Sequence, residues 1–141
     1  MSTRSYIMLK DGDNVIYNYI HYDGYVLGGV GQLLASKYDD YSLAKMLCNI
    51  GDRSALEDET PYQDQDEVVH TIPFTELESF INDREGNFDI DYYYIFMDGK
   101  WQGACGDTKW KLYPVKTVYA AQFILRNGIN IADIENLINN R

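Results

Sequence analysis

A chain of 141 residues fits one domain, since splitting it would leave two pieces near the lower limit for self-sufficient cores, and 45% hydrophobic content without a low-complexity tract agrees with a globular core. Its net charge of −10, from 22 acids against 12 bases, opposes direct binding to nucleic-acid phosphates or to an anionic membrane surface. No apolar run approaches the ~18–20 residues that span a bilayer, two cysteines make no disulfide framework, and Met1-Ser2-Thr3-Arg4 lacks a secretory leader pattern, so an intracellular, cytoplasmic protein is expected.

The first elements read as a hairpin. Tyr6-Ile7-Met8-Leu9 is strand-like, Asp11-Gly12-Asp13-Asn14 has turn chemistry, and Val15 to His21 forms the return. On that return Val15, Tyr17, Tyr19 and His21 share one face, and Ile16, Asn18 and Ile20 the other. Gly28, Gly29 and Gly31 then lead into a helix with Val30, Leu33, Leu34 and Tyr38 at helical spacing. A second helix is expected behind an Asp40 cap, with Leu43, Met46, Leu47 and Ile50 as its stripe, Cys48 as a small core residue, and Gly51 ending it.

Residues 52 to about 66 are polar, acidic and contain Pro61, which predicts a long loop. Val68 to Ile72 reads as a short strand. Thr75-Glu76-Leu77-Glu78 matches a capping box, ahead of a helix burying Leu77, Phe80 and Ile81. Tyr92 to Met97 is β-prone throughout, and Asp98-Gly99 supplies the two positive-φ residues of a tight type I′ turn before Lys100-Trp101-Gln102. Cys105 falls in a predicted turn as a free thiol, and Trp110 to Tyr113 alternates as another strand before Pro114. Two short helices are expected at about 117–140, one around Val118, Ala121 and Leu125, one around Ile131, Ile134 and Ile138. These elements predict a single α+β domain over 1–141, with a mixed, mainly antiparallel sheet and helices packed on one side.

Little in the chain carries named chemistry. His21-Tyr22-Asp23-Gly24-Tyr25 holds a base and an orienting acid within five residues, yet such a cluster at a strand end reads first as a turn. Gly28-Gly29-Val30-Gly31 has no Lys-Ser/Thr after it and serves a tight strand-to-helix turn rather than a phosphate cradle. Asp11 to Asn14 is too short for a calcium loop, and His21, Cys48, His70 and Cys105 have no zinc spacing. No catalytic residue, metal or cofactor is therefore assigned.

Charge is the stronger signal. Glu57, Asp58, Glu59, Asp64, Asp66 and Glu67 form an acidic run without a base, with Tyr62 inside it. From Lys100 to Arg126 the balance reverses to five bases and one acid, Asp107. An anionic, aromatic surface of this kind is drawn to a basic protein surface, with the acids setting encounter and aromatics such as Tyr62 and Trp101 anchoring.

Several stretches resemble a family of small accessory proteins encoded by tailed phages and bacterial mobile elements. The matching residues are Ile16, Tyr17, His21, Asp23, Gly24, Tyr25, Gly28, Gly31, Gly51, Asp52, Ser54 and Leu56, with Asp98-Gly99-Lys100-Trp101 similar to that family's terminal hairpin. The likeness covers roughly the first 56 residues well and the rest loosely. It departs at Tyr22, where the family often has Trp, and at Val26, where it has Pro. The resemblance implies an accessory protein of the bacterial host cytoplasm and brings no catalytic residues.

The leading expectation is a protein that binds and inhibits a host protein with a basic surface. That host protein would be a nucleic-acid-binding defence component, of anti-CRISPR or anti-restriction type, or a transcription component. The expected binding residues are Glu57, Asp58, Glu59, Tyr62, Asp64, Asp66, Glu67 and Trp101. Two alternatives stand beside it: a small hydrolase or nuclease using His21, Asp23 and Asp52, and a homodimeric assembly factor joined through a strand edge.

Overall fold

The computed structural model describes residues 2–52, 55–56 and 69–126. The acidic run at 57–67 and the expected helix around Ile134 lie outside the described residues.

Alternating β-prone residues form β1 (Ser5–Asp11) and β2 (Asn14–Ile20), paired antiparallel with Asp11 opposite Asn14. The second hairpin joins β4 (Tyr92–Met97) to β5 (Lys100–Cys105). Its turn residues Asp98 and Gly99 take φ +57° and +80°, the left-handed pair that the sequence predicts. With β3 (His70–Pro73) and β6 (Tyr113–Pro114) these strands build one sheet, ordered β3-β2-β1-β4-β5-β6. Among the described strands only β1 against β4 is parallel, running from Ser5 opposite Tyr92 to Leu9 opposite Phe96. The fold is α+β with a mixed, mainly antiparallel sheet, as expected. Among the described residues no helix is long and apolar enough to cross a membrane.

Strand alternation sends Ile7, Leu9, Ile20, Tyr94 and Phe96 to one face. Three helices cover it: α1 (Val30–Lys37), α2 (Tyr41–Cys48) and α4 (Val115–Arg126). Gly31 allows α1 to close on the sheet, since a Cβ there would stand 2.8 Å from the Tyr94 hydroxyl. That buried hydroxyl donates to the Gly24 carbonyl at 2.6 Å, tying the loop before α1 to β4. The opposite face carries Met8, Val15, Tyr93 and Ile95 under a short helix, α3 (Leu77–Asn82). Helices thus lie on both sides of the sheet rather than on the one side expected, because strand alternation gives each face its own apolar set and α3 covers the second.

Asp40 caps α2 as the sequence predicts, accepting from the Leu43 amide at 2.8 Å. The buried stripe is nevertheless Ala44, Leu47 and Cys48. Leu43 and Met46 are exposed and Ile50 is half-buried. Small residues let α2 lie close to the sheet, which turns its bulkier positions outward. Leu47→Ala should cost about 2–5 kcal/mol as a core truncation, whereas Leu43→Ala should fall within about 0.5 kcal/mol. Chemical denaturation of the two variants checks the assignment.

Two expected local motifs take other forms. Pro73 is extended, and the Phe74 amide is held by the Asp13 carbonyl at 2.8 Å, so a 3-10 turn occupies Phe74–Glu76. The helix therefore starts at Leu77 without a side-chain cap from Thr75. After β5, the amides of Lys109 and Trp110 close back on the Gly106 and Cys105 carbonyls at 3.0 and 2.9 Å. Both residues take left-handed φ, +55° and +62°, so the strand expected from Trp110 shrinks to Tyr113–Pro114. Cys105 is the last residue of β5 rather than a turn residue; its thiol is buried, and burial pushes its pKa up.

Candidate functional site

Two assemblies of polar and aromatic side chains lie at the margins of the core. The first lies on the α3 face, where the sheet register places Tyr6 between Tyr19 and Tyr93. The Tyr6 ring packs 5.1 Å from Tyr17 and 5.4 Å from Phe80. His70 stacks on Tyr17 at 5.0 Å, and its Nε2 lies 2.9 Å from Asp52 Oδ2. The other Asp52 oxygen accepts the Tyr19 amide at 2.8 Å, extending the β2 edge beyond the pairing with β3, which reaches Tyr17.

His21 is held separately. Its Nδ1 lies 2.7 Å from the Tyr19 hydroxyl and its Nε2 3.2 Å from Ser2 Oγ. Asp23, with φ +59°, accepts from the Tyr25 hydroxyl at 2.9 Å instead of orienting His21. The His21–Asp23 couple considered from sequence is therefore not assembled, and the carboxylate–imidazole pair present is Asp52–His70. Among the described residues no group of His, Cys, Asp and Glu is placed to hold a metal ion.

Crowding phenols on one face makes their ionisation costly. Burial, followed by Tyr17 and the carboxylates of Asp89 and Asp52, pushes Tyr6 up to about 12. Tyr17 is raised by burial and then by Asp52. Tyr19 is raised by burial, with partial relief from the Arg4 guanidinium. Tyr93 is raised by burial and partly relieved by Arg84. Below pH ~10 folded and unfolded phenols are alike protonated. Between that value and about 12 the unfolded chain loses the Tyr6 proton first, so stability should fall with rising pH across this window. Ultraviolet phenolate titration should show a late-titrating group that merges with the others when the protein is unfolded in denaturant.

Trp101 does not serve as a surface anchor. Strand alternation turns it under the helices, where it is 3% exposed, and its indole N–H donates to the Tyr38 carbonyl at 2.8 Å. Its ring meets Phe96 edge-on, 5.6 Å between centroids. The other expected binding residues, Glu57, Asp58, Glu59, Tyr62, Asp64, Asp66 and Glu67, lie outside the described residues.

The second assembly is a cleft of about 720 Å³ at the sheet end where β4 begins and β5 finishes. Tyr92 pairs with Cys105, so Asp91 and Asp107 flank one rung of the sheet. Both line the cleft with Tyr25, Trp110, Tyr119 and Gln122. Asp91 Oδ2 accepts the Arg4 backbone amide at 3.1 Å, and Asp107 Oδ2 accepts Gln122 Nε2 at 3.0 Å. The same Nε2 reaches the Tyr92 hydroxyl at 2.5 Å. Among the described residues no Lys, Arg or His lines this cleft. Two signals pointed toward it in the sequence, Tyr25 in the His-Tyr-Asp-Gly-Tyr cluster and Asp107 alone among the C-terminal bases; neither shows the other without the fold. Comparison with protein-family models, with curated proteins and with solved structures found no match, so the functional argument rests on the geometry above.

Proposed function

We propose that the protein works by binding a basic surface of another protein, as a phage-type accessory factor acting in a bacterial host cytoplasm. The partner class is a nucleic-acid-binding defence component, of anti-CRISPR or anti-restriction type, or a transcription component. One observation carries the reading: a chain of net charge −10 opens a cleft of about 720 Å³ with two carboxylates, aromatic side chains and, among the described residues, no basic lining residue. Surfaces that grip nucleic acid are rich in Lys and Arg, and a complementary anionic surface gains association rate and specificity against them. The edge strands add support against a homodimer built by strand pairing. β3 and β6 are short and both end in proline, Pro73 and Pro114, which cannot donate to a ladder.

The test is kinetic. A stoichiometric partner recovered from host lysate is titrated with protein in which Glu57, Asp58, Glu59, Asp64, Asp66 and Glu67 are changed to Asn or Gln. Association should slow and its salt dependence flatten if the run meets the partner, because charges at an interface rim act within a Debye length of ~8–10 Å. Unchanged association rate and salt slope would remove the acidic run from the proposed binding surface.

The Asp52–His70 hydrogen bond favours a second reading, a small hydrolase or nuclease in which Asp52 orients His70 as a base. In that case His70→Asn would abolish turnover while leaving the fold and any partner binding in place.

A further inference from the structure

We infer that Ser2, His21 and Tyr19 act as nucleophile, general base and orienting group, by which the protein takes an acyl group from an activated, uncharged carboxylic ester. This activity goes beyond the proposed binding role and needs no partner.

The three residues come from segments that the fold pins together. The Thr3 carbonyl accepts the Gly24 amide at 2.9 Å, fixing the chain beside Ser2 to the bend after β2. The Arg4 amide donates to Asp91 Oδ2 at 3.1 Å, and the Arg4 carbonyl accepts the Asp91 and Tyr92 amides at 2.9 and 3.2 Å. Ser2 is thereby held between the exit of β2 and the entry of β4, although it lies outside every strand.

His21 is oriented from two directions. Its Nδ1 lies 2.7 Å from the Tyr19 hydroxyl, and Tyr22 meets its ring edge-on, 4.5 Å between centroids. With the ring proton on Nδ1, that nitrogen donates to the phenol oxygen, and Nε2 is left to accept from Ser2 Oγ, 3.2 Å away. That separation is at the outer end of the roughly 2.6–3.2 Å reach of a nucleophile–base pair. The phenol takes the place that a carboxylate holds in serine hydrolases.

In the acylation step Ser2 Oγ attacks the ester carbonyl carbon, its proton passes to His21 Nε2, and the carbonyl π pair moves onto oxygen. Collapse re-forms the carbonyl and breaks the bond to the alcohol oxygen, which leaves with that electron pair and takes the proton back from His21. The products are O-acyl Ser2 and free alcohol; water repeats the sequence and releases the acid.

The cleft sets the substrate class. Ser2 lines the space of about 720 Å³ together with Val26, Leu27 and Tyr119, and with Asp91 and Asp107. The carboxylates repel an anionic acyl chain, and the apolar lining favours a short aliphatic one. Nucleophile and base are what these residues supply, so the matching ester is one whose alcohol departs readily, an aryl ester.

The intact protein is incubated with p-nitrophenyl butyrate, with nitrophenolate followed by absorbance and acyl transfer by intact mass and peptide mapping. One butyryl group per chain is expected, located on Ser2. Ser2→Ala changes a residue outside every strand and helix, and should lose that adduct altogether. His21→Asn should slow acylation about a hundredfold. Tyr19→Phe keeps the ring and loses the orienting hydroxyl, so kcat should fall about tenfold while KM stays within about twofold. A protein that gains no adduct, or gains it only at other residues, overturns the inference, and Ser2→Ala keeps that reading decisive even where His21→Asn does not fold. An undiminished acylation rate in folded His21→Asn overturns the assignment of the base, and a parent kcat in Tyr19→Phe overturns that of the orienting group.

Discussion

Trp101→Ala is expected to lower stability by about 3–5 kcal/mol, the range for deleting a buried aromatic side chain. The residue is 3% exposed, faces Phe96 across the β4–β5 hairpin, and packs beneath the helices. Truncation removes that apolar contact and also the N–H that satisfies the Tyr38 carbonyl, just past the last turn of α1. Trp101→Phe keeps most of the apolar area and loses only the hydrogen bond, so it should cost clearly less than the alanine change. Urea denaturation of the three proteins reads the difference. A loss below about 1 kcal/mol for Trp101→Ala would place the side chain outside the core.

Asn18→Asp should be nearly as damaging at neutral pH and far less so in acid. Asn18 is fully buried on β2; its Nδ2 donates to the Cys48 carbonyl at 2.9 Å, and its Oδ1 accepts the Gly51 amide at 3.0 Å. The side chain therefore splices the sheet to the end of α2 and to the bend at Gly51, whose φ is +111°. An aspartate keeps the acceptor, loses the donor, and sets a buried carboxylate against a carbonyl oxygen. An uncompensated buried charge of this kind costs roughly 3–5 kcal/mol. Burial raises the new carboxyl's folded pKa above the unfolded value of ~3.9. Its stability contribution is then whole below that value and is lost as pH rises through the folded pKa. The deficit against the parent protein should consequently shrink on acidification. Denaturation at neutral and acidic pH measures it, and an equal deficit at both would contradict the burial of Asn18.

Local chemistry was legible in the sequence wherever neighbours in the chain decide the outcome. Asp40 capping α2 and Asp98-Gly99 turning β4 into β5 both depend on residues within four positions of one another. Helix existence was legible, while helix rotation was not. The α2 stripe read from bulk chose Leu43 and Met46, whereas the sheet accepts Ala44 and Cys48, whose small size sets the approach distance. Trp110 misled for a related reason. Its alternation with Leu112 looks like a strand, yet the Thr108 hydroxyl, bonded to both the amide and the carbonyl of Cys105, tightens the chain into a turn first. The site was least legible of all. Asp52 meets His70, and Asp107 meets Gln122, only because strands and helices distant in sequence converge, and no spacing rule encodes that meeting. Trp101 is expected from sequence as an aromatic binding anchor on its hairpin, whereas the strand's period-two alternation sends it inward.

The lone parallel seam, β1 against β4, bears on how the chain is made. At about 5–20 residues per second, β4 leaves the ribosome on the order of 4–16 s after β1. Throughout that interval the β1–β2 hairpin exists without its inner neighbour, and the Ser5 to Leu9 edge is a free template for any passing strand. Tyr6, Ile7, Met8 and Leu9 are apolar or aromatic, so the nascent chain is most adhesive before Tyr92 is synthesised. Products truncated short of that residue should collect in the insoluble fraction, and translation pauses between Asp52 and Asp91 would prolong the exposure.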